Sequence, residues 1–203
     1  MRPLRWCLSV AEVLLTSPAW LLVALSRFVG EDVHRRMFQS GSQFMALLPG
    51  EVGNVLRRGF YRMTILSCSK RCVISFGTIF SSHRIRIGDN VFIGAYCSIA
   101  DCTIESDCML GTFVSVLNGK ETHRFERIDI PIRLQGGTSR PVTLYHDSWI
   151  GNSATVMVDI AVGAVIGAGA VVTRSPEPYS ISVGNPARRV GVRGGVTTHV
   201  GTE

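Results

Sequence analysis

The chain has 203 residues, of which 46% are hydrophobic and 18% are charged, and it contains 21 glycines. This composition predicts one well-buried globular domain with a small appendage and excludes a largely disordered chain. The formal net charge of +6 indicates an anionic partner, which is a nucleic acid, a membrane surface or an anionic small molecule.

The N-terminal segment contains an apolar run over residues 13–26, which follows two arginines and is followed by Arg27. The run is too short to cross a bilayer comfortably. Its basic start resembles a signal peptide, but no clear cleavage site of small residues follows, and Trp20 between arginines suits an interfacial helix. We therefore predict a cytoplasmic protein with a peripheral contact between residues 1–30 and the inner membrane. The alternative is a helix packed on the rest of the protein, because both have the same hydropathy.

Helical spacing of apolar residues continues over residues 31–63 and is interrupted at Pro49 and Gly50. We predict a helical N-terminal segment over residues 1–66. From about Cys72 onward, glycine and β-branched residues replace the helix formers, which indicates strands. The predicted organisation is completed by a strand domain over residues 67–194 and a tail over residues 195–203.

The strand region has a period of six residues, which differs from the helical period of 3.6. An aliphatic residue begins each hexad, at Ile87, Ile93, Ile99, Ile104, Leu110, Ile150, Val156, Val162 and Ile166. Four positions later the residue is small, at Val91, Cys97, Cys108, Val114, Ala154 and Ala170. Each hexad thus supplies one short strand and one turn, and three hexads close a triangular coil whose stacked strands pair in parallel. The pattern predicts an all-β parallel β-helix with an N-terminal helical appendage, and a shortened turn over residues 162–165.

Six cysteines are present without a CxxC pair or nearby histidines at zinc-finger spacing. We therefore predict neither a metal site nor a disulfide framework, and a reducing cytosol fits this pattern. Cys97 and Cys108 occupy small inward positions of the hexads and are predicted to be core residues.

The repeat is interrupted over residues 117–141, which include His123 and Phe125. A long loop within a regular solenoid is usually functional. We therefore expect this loop to carry part of a site.

The hexads resemble those of hexapeptide-repeat acetyltransferases, in the group that acts on maltose, galactosides and polysaccharide precursors of the colanic-acid type. The resemblance covers roughly residues 72–193. Its most specific segments are residues 122–127, 129–133, 147–151, 166–169 and 184–188. It implies a left-handed coil, a homotrimer with active sites between subunits, acetyl-CoA as the co-substrate without a metal, and a saccharide hydroxyl as the acceptor.

The resemblance also implies roles for single residues. His123 matches the catalytic histidine of the family, and imidazole suits a general base because its pKa lies near the working pH. Either Glu126, Asp129 or a backbone carbonyl is available to orient it. The expected coenzyme-binding residues are Trp149, Gly151, Asn152, Ala168, Thr173, Arg174 and Arg188, with Arg189 and Arg193 as extensions. The expected substrate-binding residues are Asp101 and Phe125.

Three other functions compete with a sugar O-acetyltransferase. A γ-type carbonic anhydrase shares the β-helix but needs an HxxxxH pair that the sequence lacks. A non-catalytic scaffold or sensor has no need of the segment 122–127, and an acetyltransferase acting on a non-sugar, xenobiotic hydroxyl stays open. No basic helix of a nucleic-acid-binding type is present, so no nucleic-acid partner is predicted.

Overall fold

The computed structural model describes residues 16–195, and within this range α-helices precede a series of short strands. The helices are α1 (Ser17–Ser26), α2 (Glu31–Ala46) and α3 (Gly50–Thr64). The strands are β1 (Ser67–Cys68), β2 (Val73–Ile74), β3 (Ile79–Phe80), β4 (Arg86–Ile87), β5 (Phe92–Ile93), β6 (Ser98–Ile99), β7 (Cys102–Ile104), β8 (Met109–Leu110), β9 (Ser115–Val116), β10 (Val142–Leu144), β11 (Trp149–Ile150), β12 (Thr155–Val156), β13 (Val165–Ile166), β14 (Val171–Val172), β15 (Ser180–Val183) and β16 (Arg188–Val192).

The strands form three sheets, each built from strands that are distant in sequence. Sheet A has the order β1-β4-β7-β10, sheet B the order β2-β5-β8-β11-β13-β15-β16, and sheet C the order β3-β6-β9-β12-β14. All described pairs are parallel except β15 with β16. Because the chain passes from sheet A to B to C and back, it winds as a solenoid. The predicted parallel β-helix is confirmed, and its left-handed sense stays a prediction of the resemblance.

The interior of the coil is filled by the two inward positions of each hexad. The aliphatic residues at Ile93, Ile99, Leu110 and Ile150 are fully buried, and the small residues at Cys108 and Ala154 are fully buried beside them. The prediction that Cys97 and Cys108 are core residues is therefore confirmed. Burial raises the pKa of both thiols, which keeps them protonated and unreactive.

One hexad was assigned wrongly from the sequence. Val162 is only half-buried, whereas Ile160 is fully buried and bridges Leu144 in parallel. The shortened turn therefore follows Val156, at residues 157–159, and not at 162–165. Spacing alone favoured Val162 because Ile160 and Val162 are both aliphatic, and only strand pairing distinguishes them.

Every irregular spacing after β4 lies at the corner where the chain returns from sheet C to sheet A. This C–A corner contains the short step over residues 99–104, the interruption over residues 117–141 and the short turn over residues 157–159. The A–B and B–C corners keep the six-residue step, so the strands stay in register while the C–A corner changes length. The interruption thus leaves the coil without disturbing it.

The helices α2 and α3 cover the first coil of the solenoid and confirm the predicted helical appendage. Phe38, Phe60 and Tyr61 are fully buried, and the Tyr61 ring packs on Phe80 of β3 with ring centroids 4.2 Å apart. The Ser42 hydroxyl accepts a hydrogen bond from the Phe80 amide at 2.9 Å. These contacts shield the open end of the β-helix from water.

The helix α1 is partly packed and partly exposed. Val23 is buried, whereas Leu22 and Leu25 are 57% and 59% exposed. Among the described helices, none is long and apolar enough to cross a membrane. Residues 1–15, which contain the two N-terminal arginines and the start of the apolar run, lie outside the described range. The tail over residues 196–203 lies outside it as well.

Candidate active site

The interruption over residues 117–141 forms an arm that is held by its own hydrogen bonds. The Arg140 amide donates to the Asn118 carbonyl at 2.9 Å, and the Arg124 amide donates to the Gly136 carbonyl at 2.9 Å. The two limbs approach so closely that a Cβ on Gly137 would lie 2.0 Å from the Thr122 carbonyl oxygen. Glycine at 137 therefore lets the returning limb pass directly beside His123.

His123 is exposed in the middle of this arm. Within the described range its ring makes no hydrogen bond or ion pair inside the chain. Glu126 accepts a hydrogen bond from the Phe125 amide at 3.2 Å, and Asp129 pairs with Arg127, which lowers the pKa of the Asp129 carboxyl. Neither carboxylate makes a hydrogen bond or ion pair with His123. The chain by itself thus presents an imidazole with both nitrogens open to a partner or substrate.

The arm also exposes a set of large apolar side chains. Phe125 is 69% exposed, Ile128 is 101% exposed and Leu134 is 60% exposed. A cluster of this kind on one short arm is typical of a surface that another molecule covers. Phe125, expected from the sequence to bind substrate, lies on this surface.

Four of the expected coenzyme-binding residues come together on two adjacent coils. Trp149 points outward from β11, half-exposed, in register with Met109 and Val165. Asn152 follows at the B–C corner, where its side-chain oxygen accepts a hydrogen bond from the Thr112 amide at 2.9 Å. Ala168 occupies the same corner on the next coil and is exposed.

Gly151 explains how these two coils approach each other. It is buried, and a Cβ at this position would lie 2.6 Å from the Ala168 amide nitrogen. Glycine is therefore required for packing, so its role in direct coenzyme contact stays a prediction.

Thr173 and Arg174 follow β14 at the C–A corner, close to the base of the arm. The Lys120 ammonium donates a hydrogen bond to the Thr173 carbonyl at 2.9 Å and so ties the arm to this end of the solenoid. A cavity of about 190 Å³ opens beside it, lined in part by Lys120 and Asp159. Lys120 was not predicted from the sequence, in which the one feature that points to a role is its position three residues before His123.

The arginines near the C-terminal end differ in their pairing. Arg188 on β16 is exposed, and its guanidinium donates to the adjacent Ala187 carbonyl at 3.0 Å. Arg193 is held by Asp147 at 2.7 Å, and Arg189 pairs with Glu177. Arg188 is therefore better placed than the other two to meet an anionic group.

Asp101 does not present its carboxylate to solvent. The residue is 2% exposed, and its Oδ2 accepts hydrogen bonds from Arg84 Nε at 3.1 Å and Nη2 at 2.7 Å. Its carbonyl accepts the Val142 amide at 3.2 Å, directly after the arm returns to the coil. Its Oδ1 is buried without a partner among the described residues. Asp101 thus supports the base of the arm, and direct contact with an acceptor hydroxyl stays a prediction.

Comparison with known proteins agrees with this architecture. Residues 84–118 match the family model of the bacterial transferase hexapeptide (six repeats). The chain is similar to a maltose O-acetyltransferase of Clostridium difficile 630, with a TM-score of 0.68 and 25% identity over 80% of this chain and 88% of that one.

Sequence relatives carry acetyltransferase names. A probable acetyltransferase of Mycobacterium tuberculosis is 34% identical over 108 residues, which are 52% of this chain and 30% of that protein. A probable macrolide acetyltransferase of Lysinibacillus sphaericus is 33% identical over 122 residues, which are 52% of this chain and 62% of that protein. The matched segments thus span less than two thirds of these curated relatives.

Proposed function

We propose that this protein, which carries the hexapeptide repeat of bacterial transferases, is an O-acetyltransferase that moves an acetyl group from acetyl-CoA to a sugar hydroxyl. The acceptor is a sugar or a surface-polysaccharide precursor. The observation that carries the proposal is the arm that exposes His123 from a solenoid on which Trp149 of β11 lies next to Asn152 and Ala168 of the B–C corner. A maltose O-acetyltransferase and proteins named as acetyltransferases are the supporting comparisons.

The chemistry assigned to His123 follows from the acceptor. An alcohol is almost entirely protonated at neutral pH and attacks a thioester poorly, so a base that takes its proton during attack accelerates the reaction. In our proposal the imidazole removes the hydroxyl proton as the oxygen bonds to the acetyl carbonyl carbon. The carbon–sulfur bond then breaks, and the imidazolium returns the proton to the departing thiolate.

The coenzyme fits the residues around the B–C corner. Asn152 and Ala168 are exposed and uncharged, and they follow the exposed Trp149 on β11 and its neighbouring coil, which suits a pantetheine arm. Coenzyme A carries several phosphate charges, and Arg174 and Arg188 are exposed arginines that suit its adenosine end. Thr173 stands beside Arg174 at the same corner.

A homotrimer is part of the proposal, because one chain leaves the site incomplete. The ring of His123 has no partner within the described chain, and Ile128 and Leu134 of the arm are exposed. Packing the arm against a second copy would bury this apolar surface and bring His123 to a neighbouring solenoid. Hexapeptide-repeat proteins of this kind are commonly trimeric.

The test is acetyl transfer by the His123→Ala variant. We expect about a hundredfold or greater loss of thiol release from acetyl-CoA in the presence of an acceptor, which is the usual contribution of general-base catalysis. His146→Ala is the matched control, because His146 is another exposed histidine and lies at the A–B corner. Both variants should keep the wild-type mass in light scattering. Full activity of His123→Ala would exclude the mechanism.

A second candidate is acetyl transfer to a non-sugar, xenobiotic hydroxyl. The similarity to a probable macrolide acetyltransferase favours it. An acceptor screen by mass spectrometry that includes glycans and hydroxylated antibiotics distinguishes the two. A non-catalytic scaffold or sensor predicts that no acceptor in such a screen gains mass.

A peripheral membrane contact through residues 1–30, with the enzyme on the cytoplasmic side, is also proposed. The turn between α1 and α2 supports it, because Phe28 is 88% exposed and Val29 is 71% exposed next to Arg27. Large apolar side chains beside a basic residue are typical of interfacial segments.

A further inference from the structure

An aromatic column occupies the B–C corner of the first three coils. The rings of Tyr96 and Phe113 are parallel to within 11°, with centroids 5.2 Å apart, and Phe76 packs edge-on against Tyr96 at 5.4 Å. Tyr96 is 49% exposed and Phe113 is 57% exposed. The column therefore presents aromatic surface to solvent rather than to the core.

The backbone at this column is one that aromatic residues rarely adopt. Tyr96 and Phe113 have φ values of 57° and 61°, in the left-handed region that glycine and asparagine tolerate best. The equivalent turns on other coils carry Gly77, Ser153 and Gly169. The turn itself thus does not require an aromatic residue, and two adjacent ones indicate a use for the rings.

The column ends at Phe113 while the corner continues. The Ser153 amide donates to the Thr112 carbonyl at 2.8 Å, and the Gly169 amide donates to the Asn152 carbonyl at 2.8 Å, so the turns stack without a break. Adjacent coils lie about 4.8 Å apart, which is close to the spacing of stacked rings. After Phe113 the next turns carry only Ser153 and then Gly169. A planar ring placed one coil beyond Phe113 would continue the stack and lie beside Asn152.

The uncharged residues in the turns of this corner favour an uncharged ring. Its turns contain uncharged residues: Phe76, Ala95, Tyr96, Thr112, Phe113, Asn152, Ser153, Ala168 and Gly169. The A–B corner is different, because Asp89, Asp107 and Asp147 are stacked there with Arg71 and Arg193. A ligand that lies along the turns from Phe76 to Gly169 therefore meets aromatic and neutral residues of these turns.

We propose that the part of the B–C corner at Phe113 and Ser153, next to the path proposed for the coenzyme, is the acceptor subsite. There an uncharged ring of the hydroxyl-bearing acceptor stacks on Phe113 above Ser153. This inference rests on the proposed function, since Asn152 and Ala168 are the residues expected to line the acetyl donor. Two kinds of acceptor carry such a ring, a neutral pyranose and a hydroxylated aromatic compound. Both present a flat, apolar face to the column and a hydroxyl at the rim.

Three variants and one control variant separate this role from the structure of the turn. Phe113→Asn and Tyr96→Asn remove the rings but keep a residue that tolerates the left-handed backbone. Tyr179→Asn is the matched control, because Tyr179 has a φ of 57° and is 48% exposed but lies at the A–B corner. Ser153→Tyr fills the step beyond Phe113, where a φ of 59° matches those of Tyr96 and Phe113.

The experiment measures binding of maltose, chloramphenicol and sorbitol to the full chain by saturation-transfer NMR, without acetyl transfer. We expect binding of at least one ring compound to the wild type and to Tyr179→Asn, and none of the linear polyol. Phe113→Asn should weaken ring binding roughly tenfold, which is the upper effect of one stacking contact, and Ser153→Tyr should abolish it. Binding of maltose would identify the ring as a neutral pyranose, and binding of chloramphenicol would identify it as a hydroxylated aromatic compound.

Several results would overturn the subsite. The first is failure of both ring compounds to bind the wild type, and the second is equal binding by Phe113→Asn and Tyr179→Asn. The third is a smaller particle mass of Phe113→Asn in light scattering, because it would show that the column is a contact between subunits. Failure of the proposed function looks different, because the wild type would then bind the ring but transfer no acetyl group. Conversely, if Phe113→Asn transfers acetyl groups with an unchanged acceptor KM, the proposed subsite is wrong and the proposed acetyltransferase function still stands.

Discussion

At the scale of single residues, Arg57 is a buried charged side chain that hydrogen bonds to backbone carbonyls hold in place. Its side chain is fully buried and donates to the carbonyls of Ile74 at 2.8 Å and Met45 at 3.2 Å. It also donates to the Leu48 carbonyl, and burial lowers its pKa. One guanidinium thus satisfies the open carbonyls at the end of α2 and at the edge of β2.

Arg57→Leu should therefore lower the free energy of unfolding by about 3 kcal/mol or more, because buried carbonyls lose their donors. Urea denaturation measures this change. Arg36→Leu, at an exposed position of α2, is the control and should stay within about 0.5 kcal/mol of the wild type. Equal midpoints for the two variants would contradict the role of Arg57.

At the scale of elements, the junction of α1 and α2 depends on a buried histidine. His34 Nδ1 lies 3.0 Å from both the Ser26 hydroxyl and the Val23 carbonyl. Its ring packs edge-on against His83, with centroids 4.6 Å apart. Burial, and then the neighbouring His34, lower the pKa of His83, with Glu31, Arg27 and Arg84 also acting on it.

This lowered pKa predicts a pH-dependent stability. Below about pH 6.5 the unfolded chain binds a proton at His83 that the folded chain resists, so stability falls as the pH drops toward the lowered pKa. Thermal melting between pH 5.5 and 7.5 should show this slope in the wild type and a smaller one in His83→Gln. His146→Gln is the control, and an unchanged slope in His83→Gln would contradict the prediction.

The same junction is where membrane contact is expected. Replacing Phe28 and Val29 with serine removes the most exposed apolar side chains of the turn and should reduce cosedimentation with phosphatidylglycerol vesicles. Leu47→Ser, which is 72% exposed after α2, is the control. Unchanged vesicle binding by the double variant would remove residues 28–29 from the contact.

At the scale of the whole molecule, a regular solenoid carries one irregular corner. The A–B and B–C corners keep the sheets in register, so length changes collect at the C–A corner, from which the arm leaves. The arm exposes both His123 and its apolar residues. Assembly and catalysis are therefore expected to depend on the same segment.

Ile128→Ser combined with Leu134→Ser should shift the proposed trimer toward smaller species and lower the proposed acetyl transfer together, since both side chains are exposed on the arm. Light scattering at several protein concentrations measures the assembly. Val190→Ser, which is 60% exposed on β16, is the control. A double variant that keeps both mass and activity would show that these arm residues are not at the interface.

The sequence by itself determined the architecture, because an aliphatic residue such as Ile87 or Ile93 at every sixth position has one packed solution, a three-sided coil. It also determined where the repeat is interrupted. Only the tertiary structure decided between Ile160 and Val162, since strand pairing and not hydropathy selects the inward residue.

The candidate site, like the fold, was predicted only in part from the sequence. The motif over residues 122–127 identified His123 in the sequence, but the partners of single side chains come from adjacent coils that are distant in sequence. Asp101 pairs with Arg84, and Tyr96 stacks on Phe113, because winding places residues about a full coil apart in sequence directly above one another. Such contacts depend on which residues the winding superposes, and local spacing does not specify the side-chain partner.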